Sequence, residues 1–168
     1  MKLIIVRHAA AIERIADVSE EKRYLTPEGR DFFRKTARTI SQQGINPTMI
    51  LTSPLIRAVQ TADILAEAIS YLGPLLVADE LAPGFDKSAL QNLLNTFQPL
   101  KELAIIGHEP DLSLLIASFL SLPDGFNFKK GAAVKLNIDS TTLGKPAVFK
   151  WLAVGNKLVT NGKEAFGR

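Results

Sequence analysis

Short aliphatic runs alternate with longer amphipathic stretches along this chain, and the alternation predicts a series of strands and helices. The aliphatic runs predict strands over residues 2–6, 48–52, 75–78, 103–106, 133–138 and 148–154. The longer stretches predict helices over residues 27–43, 54–69, 86–97 and 110–120. The first two follow Thr26-Pro27 and Ser53-Pro54, and a capping hydroxyl residue before proline is a frequent helix start.

The order of these elements predicts the fold class. Strands that alternate with helices are typical of a parallel sheet covered by helices on both faces. The last two strands are close enough in sequence to pair as a hairpin across residues 139–146. We therefore expect an α/β fold, a three-layer sandwich with a largely parallel central sheet.

The composition narrows the class of protein. A chain of 168 residues with 46% hydrophobic and 22% charged residues fits a single domain spanning residues 1–168. The absence of cysteine excludes disulfides, thiolate catalysis and thiolate metal sites. No segment approaches the roughly 20 apolar residues of a membrane span, and the N-terminal apolar run is too short for a signal peptide. We expect a cytoplasmic protein without membrane association.

The C-terminal third of the chain is basic, which raises the question of nucleic-acid binding. Its lysines are dispersed among strand-like residues with few aromatic residues between them: Lys129, Lys130, Lys135, Lys145, Lys150, Lys157 and Lys163. This pattern favours a solvated face over a nucleic-acid interface.

Cationic and imidazole side chains follow three of the predicted strands. Arg7 and His8 end the first strand, Arg57 lies in the first turn of the helix after the second, and His108 follows the strand over 103–106. The carboxyl ends of parallel strands form the edge at which open α/β sheets bind ligands. Guanidinium groups and helix N-termini both suit phosphate oxygens. The arrangement predicts a site for a phosphoryl group.

Each of these residues also has a structural interpretation. A single histidine at a strand end is more often a hydrogen-bonded structural residue than a catalyst, and an isolated arginine on a helix is more often solvated or ion-paired. Both histidines of the chain nevertheless follow aliphatic strands and have anion-binding features beside them. This convergence favours a phosphate site and leaves open whether the site binds or reacts.

Five segments carry a resemblance to a known family. VRHAAA, LTSPLIRAVQTA and IIGHEPDLS resemble the three signature segments of the histidine phosphatase superfamily, in the order and spacing of its short SixA-type phosphohistidine phosphatases. RYLTPEG and DELAPG resemble two further segments of that subfamily. One departure is Ala9, where much of the superfamily has glycine. Because alanine tolerates positive φ poorly, we expect a negative φ at this position.

The resemblance implies roles for particular residues. It makes His8 the nucleophile, and Arg7, Arg57 and His108 the groups that clamp the phosphoryl oxygens, His108 acting as a third cation if it is protonated. It places Glu80 where larger members carry the acid that protonates a leaving alkoxide, whereas the alternative for Glu80 is a solvated carboxylate. It implies a mechanism that needs no metal ion and no cofactor.

The resemblance also implies a fold and a substrate class. It implies a phosphoglycerate-mutase-like fold, and the fifty residues from Arg57 to Gly107 are too few for the helical lid of larger members. An open pocket suits phosphohistidine on a partner protein, such as a phosphotransfer domain, hydrolysed through a covalent phosphohistidine enzyme intermediate. A phosphatase for small phosphoesters and a non-catalytic phosphate- or phosphoprotein-binding module are the alternatives.

Overall fold

A computed structural model describes residues 1–122 and 126–167, which contain one seven-stranded sheet. The strands are β1 (Lys2–Arg7), β2 (Met49–Thr52), β3 (Leu75–Val77), β4 (Glu102–Gly107), β5 (Ala132–Asn137), β6 (Val148–Val154) and β7 (Lys157–Val159). Their order across the sheet is β3-β2-β4-β1-β5-β6-β7. The first four strands in this order are parallel, and β5, β6 and β7 add antiparallel pairs.

Within the described residues, five helices accompany the sheet. They are α1 (Pro27–Ser41), α2 (Ile56–Ala68), α3 (Lys87–Thr96), α4 (Asp111–Leu120) and α5 (Gly162–Phe166). Short 3-10 turns occupy Glu20–Lys22 and Asp79–Leu81. None of the helices in the described part of the chain is both long and apolar enough to cross a lipid bilayer.

The core lies on both faces of the sheet, which gives the three layers that the sequence predicted. On one face, α1 and α2 contribute buried residues such as Phe33, Ile40 and Leu65. On the other face, α3 and α4 contribute buried residues such as Leu90 and Phe119. The aliphatic run in β1 alternates between the two clusters and is fully buried, so the strand before Arg7 is held from both sides.

The start of α1 follows the predicted capping chemistry, whereas the start of α2 does not. The Thr26 side chain accepts a hydrogen bond from Gly29 N at 3.0 Å, with Pro27 at the first helical position. In contrast, α2 begins at Ile56 without a side-chain cap. The Ser53 hydroxyl lies 2.7 Å from His108 Nε2, so this serine belongs to the strand-end cluster instead of capping the helix.

Two C-terminal elements were not predicted. β7 has three residues and α5 has five, and both are shorter than the windows over which a hydrophobic period can be recognised. The predicted hairpin is present, since β5 and β6 pair antiparallel. Between Arg57 and Gly107 the chain forms the rest of α2, then β3, a 3-10 turn and α3, whose Leu90 and Leu94 are buried in the core. This segment therefore forms no lid.

Candidate active site

The two histidines leave the sheet side by side. β1 and β4 are parallel neighbours, and Arg7 is in register with Gly107. The following residues, His8 and His108, consequently have ring centroids 5.1 Å apart. The first turn of α2 brings Arg57 to the same edge, where its Nε donates to His8 Nε2 at 3.2 Å. The structure thus brings together four of the five candidate residues.

These side chains lie in an open cleft of about 600 Å³. Its lining is strongly charged and consists of Arg7, His8, Ala11, Glu13, Arg14, Glu20, Arg23, Arg57, Pro83, His108, Glu109 and Lys130. Five cations and three carboxylates therefore face the cleft alongside the two imidazoles. A cleft with this excess of cations suits an anionic ligand.

His8 is held in one orientation and one tautomer. Its Nδ1 lies 2.7 Å from the carbonyl oxygen of Ala9, so Nδ1 carries the proton and Nε2 keeps its lone pair. Burial lowers the pKa of His8 to about 3, and the charges of His108, Arg57 and Arg7 act in the same direction. The imidazole is therefore neutral at pH 7, with its free nitrogen turned toward Arg57.

Ala9 and Thr61 support this geometry. Ala9 is fully buried, and its backbone N–H donates to Thr61 Oγ1 at 3.1 Å. The Thr61 hydroxyl in turn donates to the carbonyl oxygen of Arg57 at 2.7 Å. The backbone of Ala9 keeps a negative φ, as expected for a residue that replaces glycine. A single threonine thus ties the segment after His8 to the helix that carries Arg57.

Two buried nitrogens in the cluster have no hydrogen-bond partner. Arg7 donates through NH1 to the carbonyl oxygen of Phe128 at 2.6 Å, but its buried Nε makes no hydrogen bond. The buried Nδ1 of His108 also makes none, while its Nε2 pairs with Ser53. An unsatisfied buried polar group costs about 1–3 kcal/mol, so both nitrogens indicate a place for a ligand that accepts hydrogen bonds.

The predicted role of His108 as a third cation requires a protonated imidazole, but His108 is neutral in the ligand-free protein. Burial lowers the pKa of His108 to about 4, with a contribution in the same direction from the positive charge of Arg57. In the ligand-free protein His108 is therefore a neutral hydrogen-bonding group at pH 7, and not a third cation. A bound dianion would favour the protonated imidazole by its charge.

The fifth candidate, Glu80, is not part of the cleft. The 3-10 turn Asp79–Leu81 buries Leu81 in the core and leaves the Glu80 side chain exposed. Glu80 instead lines a separate hollow with Val77, Thr96 and neighbouring residues. The reason is local, because in this turn the apolar side chain takes the inward position and the carboxylate faces solvent.

Several cleft residues were not identified from the sequence. Arg14, Glu20 and Arg23 come from the irregular segment between β1 and α1, which has no periodicity to place them. Glu109 follows His108 within the IIGHEPDLS segment, and its Oε1 accepts a hydrogen bond from Ser113 N at 3.1 Å. Burial raises the pKa of Glu109, so this carboxyl holds a proton more readily than an ordinary glutamate. The only sequence signal for these residues was their position inside or next to the quoted segments.

The N–H groups at the cleft suit an oxyanion and not a metal ion. Within the described ranges 1–122 and 126–167, no group of three or more histidine, aspartate or glutamate side chains is arranged to hold a metal ion. A tetrahedral anion beside His8 Nε2 would find N–H donors from Arg7, Arg57 and His108. The cleft could therefore bind a phosphoryl group next to a neutral imidazole nitrogen able to attack it.

Comparison with known proteins shows similarity to histidine phosphatases. A family profile of the histidine phosphatase superfamily (branch 1) matches residues 3–82. An uncharacterized protein of Picosynechococcus sp. is 38% identical over 115 residues, which cover 67% of this chain and 68% of that protein. The phosphohistidine phosphatase SixA of Escherichia coli (strain K12) is 27% identical over 155 residues, which cover 90% of this chain and 92% of that protein.

A solved structure has the same architecture. The structure of the protein histidine phosphatase SixA complexed with tungstate matches with a TM-score of 0.78 and 26% sequence identity. The match covers 92% of this chain and 97% of that chain. This similarity confirms the phosphoglycerate-mutase-like fold that was predicted.

Proposed function

The chain belongs to the histidine phosphatase superfamily and is a phosphatase of the SixA type, and on this premise we propose that it hydrolyses phosphohistidine carried by another protein. In this proposal His8 is the nucleophile, and Arg7, Arg57 and His108 hold the phosphoryl oxygens. The observation that carries it is the state of His8. Its Nε2 is unprotonated, buried and fixed by the Nδ1 contact to Ala9, as a nucleophile for phosphorus requires.

The unpartnered nitrogens support the same assignment. A phosphoryl group placed in line with His8 Nε2 would offer oxygens to Arg7 Nε and His108 Nδ1, which lack partners in the ligand-free protein. Arg57 Nε, which now donates to His8 Nε2, would move its hydrogen bond to a phosphoryl oxygen and free the lone pair. Arg7 Nε and His108 Nδ1 have no partner to release, so these two donors could stabilise the transferring charge without first breaking a hydrogen bond, whereas Arg57 has to exchange its own.

The reaction would proceed in two displacements. First, His8 Nε2 attacks phosphorus, the bond from phosphorus to the substrate imidazole breaks, and that imidazole takes a proton from solvent. Second, water attacks the phosphorus of phospho-His8, its proton passes to solvent, and inorganic phosphate leaves with His8 restored. The sum is one phosphoramidate and one water converted into imidazole and phosphate.

The shape of the cleft supports a protein-borne substrate. The segment between α2 and β4 packs on the sheet and leaves the cleft open, so the reactive nitrogen can be reached by a group projecting from another protein surface. The exposed Lys130 adds a cation at the cleft, next to Gly131, whose N–H donates to the carbonyl oxygens of Arg7 and His8. This lysine could contact acidic residues around the phosphohistidine.

A turnover assay tests the proposal. Purified protein is given a phosphotransfer domain phosphorylated on histidine and, separately, an aryl phosphate. We expect rapid loss of phosphate from the domain and an acid-labile, alkali-stable phosphoryl label on the enzyme after rapid quenching. The His8→Ala variant serves as the control and should carry no label. A label that persists in this variant would remove His8 as the nucleophile, and phosphate binding without turnover of either substrate would favour the binding module.

One observation favours a second activity, the hydrolysis of small phosphomonoesters. Alkoxide leaving groups need a proton, and Glu109 is a half-buried carboxyl on the cleft whose pKa is raised by burial. The test compares Glu109→Gln with Glu80→Gln, the same change at a carboxylate outside the cleft. Glu109→Gln should slow alkyl phosphate hydrolysis far more than phosphohistidine hydrolysis, whereas Glu80→Gln should slow neither. Equal rates in wild type and Glu109→Gln would remove Glu109 as the acid.

A further inference from the structure

Glu20 is surrounded by three arginines, two from its own segment between β1 and α1 and one from the first turn of α2. Arg14 Nε donates to Glu20 Oε2 at 3.0 Å, and Arg23 NH1 donates to both carboxylate oxygens at 2.8 and 3.1 Å. Arg57 NH2 lies 2.9 Å from Glu20 Oε1. Guanidinium forks match carboxylates and phosphates in the same bidentate way. Glu20 therefore occupies donors that a phosphoryl group would otherwise use.

The contact at Arg57 matters most, because this arginine also faces the proposed nucleophile. Its Nε donates to His8 Nε2, while its NH2 pairs with the Glu20 carboxylate. The Arg57 side chain is only 5% exposed, whereas that of Glu20 is 38% exposed. The buried partner is thus fixed, and the carboxylate at the cleft surface is the one that can turn away toward solvent.

The position of Arg57 does not depend on that carboxylate alone. Arg57 NH1 donates at 2.7 Å to the backbone carbonyl oxygen of Glu20, and this hydrogen bond is independent of the Glu20 side chain. A second hydrogen bond, from Arg23 Nε to the carbonyl oxygen of Ile12 at 2.9 Å, also fixes the segment that carries Glu20. Loss of the carboxylate charge should leave both backbone contacts in place.

We propose that Glu20 is an internal competitor for the phosphoryl site, and that it sets the affinity of the cleft for free phosphate. An incoming phosphoryl group takes the donors of Arg57 and Arg23 from Glu20, and the carboxylate takes them back when inorganic phosphate leaves. A phosphoryl group on a protein gains further contacts outside the cleft that offset this competition, and free phosphate does not. This inference rests on the proposed function and concerns which phosphoryl ligands the site retains.

The charge of Glu20 persists over the working range of pH. The hydrogen bond from Arg14 lowers the pKa of the Glu20 carboxyl, and the charges of Arg57 and Arg23 act in the same direction. The competitor is therefore ionised at neutral pH.

Binding of inorganic phosphate to the intact protein, measured by isothermal titration calorimetry, tests the proposal. Glu20→Gln keeps the size of the side chain and removes its charge. We expect it to bind phosphate roughly tenfold to a hundredfold more tightly than wild type, since a charge-assisted hydrogen bond no longer has to be broken. The matched control is Glu21→Gln, the same change at the adjacent exposed residue, which should alter the affinity less than twofold at 0.15 M salt.

The opposite result would overturn the proposal. Equal or weaker phosphate binding by Glu20→Gln would show that the carboxylate orients the arginines for the anion and does not compete with it. Thermal unfolding of both variants distinguishes this outcome from a damaged fold, and Glu20→Asp, which keeps the charge, should bind phosphate more weakly than Glu20→Gln. Calorimetry needs no turnover, so a failure of the proposed phosphatase reaction would appear separately in the turnover assay.

Discussion

The two histidines should make the ligand-free protein lose stability in mildly acidic solution. Burial lowers the pKa of His8 to about 3 and that of His108 to about 4, whereas both groups have their ordinary value near 6.5 in the unfolded chain. Between these values the unfolded chain binds more protons than the native protein. The contribution to stability is therefore complete above about pH 6.5 and decreases as the pH falls toward the native pKa values.

The size of the effect follows from the width of that interval. When the pH falls from 8 to 5, the histidines of the unfolded chain become protonated below about pH 6.5, that is, over about 1.5 pH units. The free energy of unfolding therefore decreases by about 2 kcal/mol per histidine and by about 4 kcal/mol for both. This is a large part of the roughly 5–15 kcal/mol that stabilises a domain. Glu109 opposes the trend, because burial raises its pKa and the native protein takes up a proton there first.

Two measurements check this prediction. Urea unfolding at pH 8 and pH 5 should show the loss of free energy, and His108→Asn should reduce that loss by about half. Nuclear magnetic resonance of the imidazole C–H groups is more direct, because the chain has only two histidines. Neither ring should titrate near pH 6.5 in the ligand-free protein, and added phosphate should raise the pKa of His108. A histidine that titrates near 6.5 without phosphate would refute the reasoning.

Three further predictions concern the clamp, metal independence and packing. Arg7→Ala and Arg57→Ala should each lower kcat by roughly 10²–10³ while the circular dichroism spectrum is retained, and a variant with full activity would remove its residue from the clamp. Activity should be unchanged after treatment with EDTA, and a loss restored by added metal would contradict the metal-free mechanism. Gly29→Ala should destabilise the protein by about 1–3 kcal/mol in urea unfolding, because the added Cβ would overlap the carbonyl oxygen of Ala10. Gly144→Ala, where the nearest atom is 3.5 Å away, is the control, and equal midpoints for the two variants would contradict the packing argument.

The sequence determined the features that depend on short-range pattern. The aliphatic runs specify β1, β2 and β4 because fully buried strands need continuous apolar side chains. Once these strands are parallel neighbours, residues that follow them must meet at one edge of the sheet. The positions of His8, Arg57 and His108 in the sequence were therefore enough to predict that they come together.

Tertiary structure decided what depends on burial and on contacts between distant residues. The carboxylate that reaches Arg57 belongs to Glu20, which is 37 residues away in an irregular segment, and no periodic pattern could place it there. The 3-10 turn after β3 directs Glu80 to solvent because Leu81 fills the core. The neutral state of His108 likewise required the packed structure, since the imidazole loses its charge through desolvation and the nearby guanidinium of Arg57, and neither is visible in the sequence.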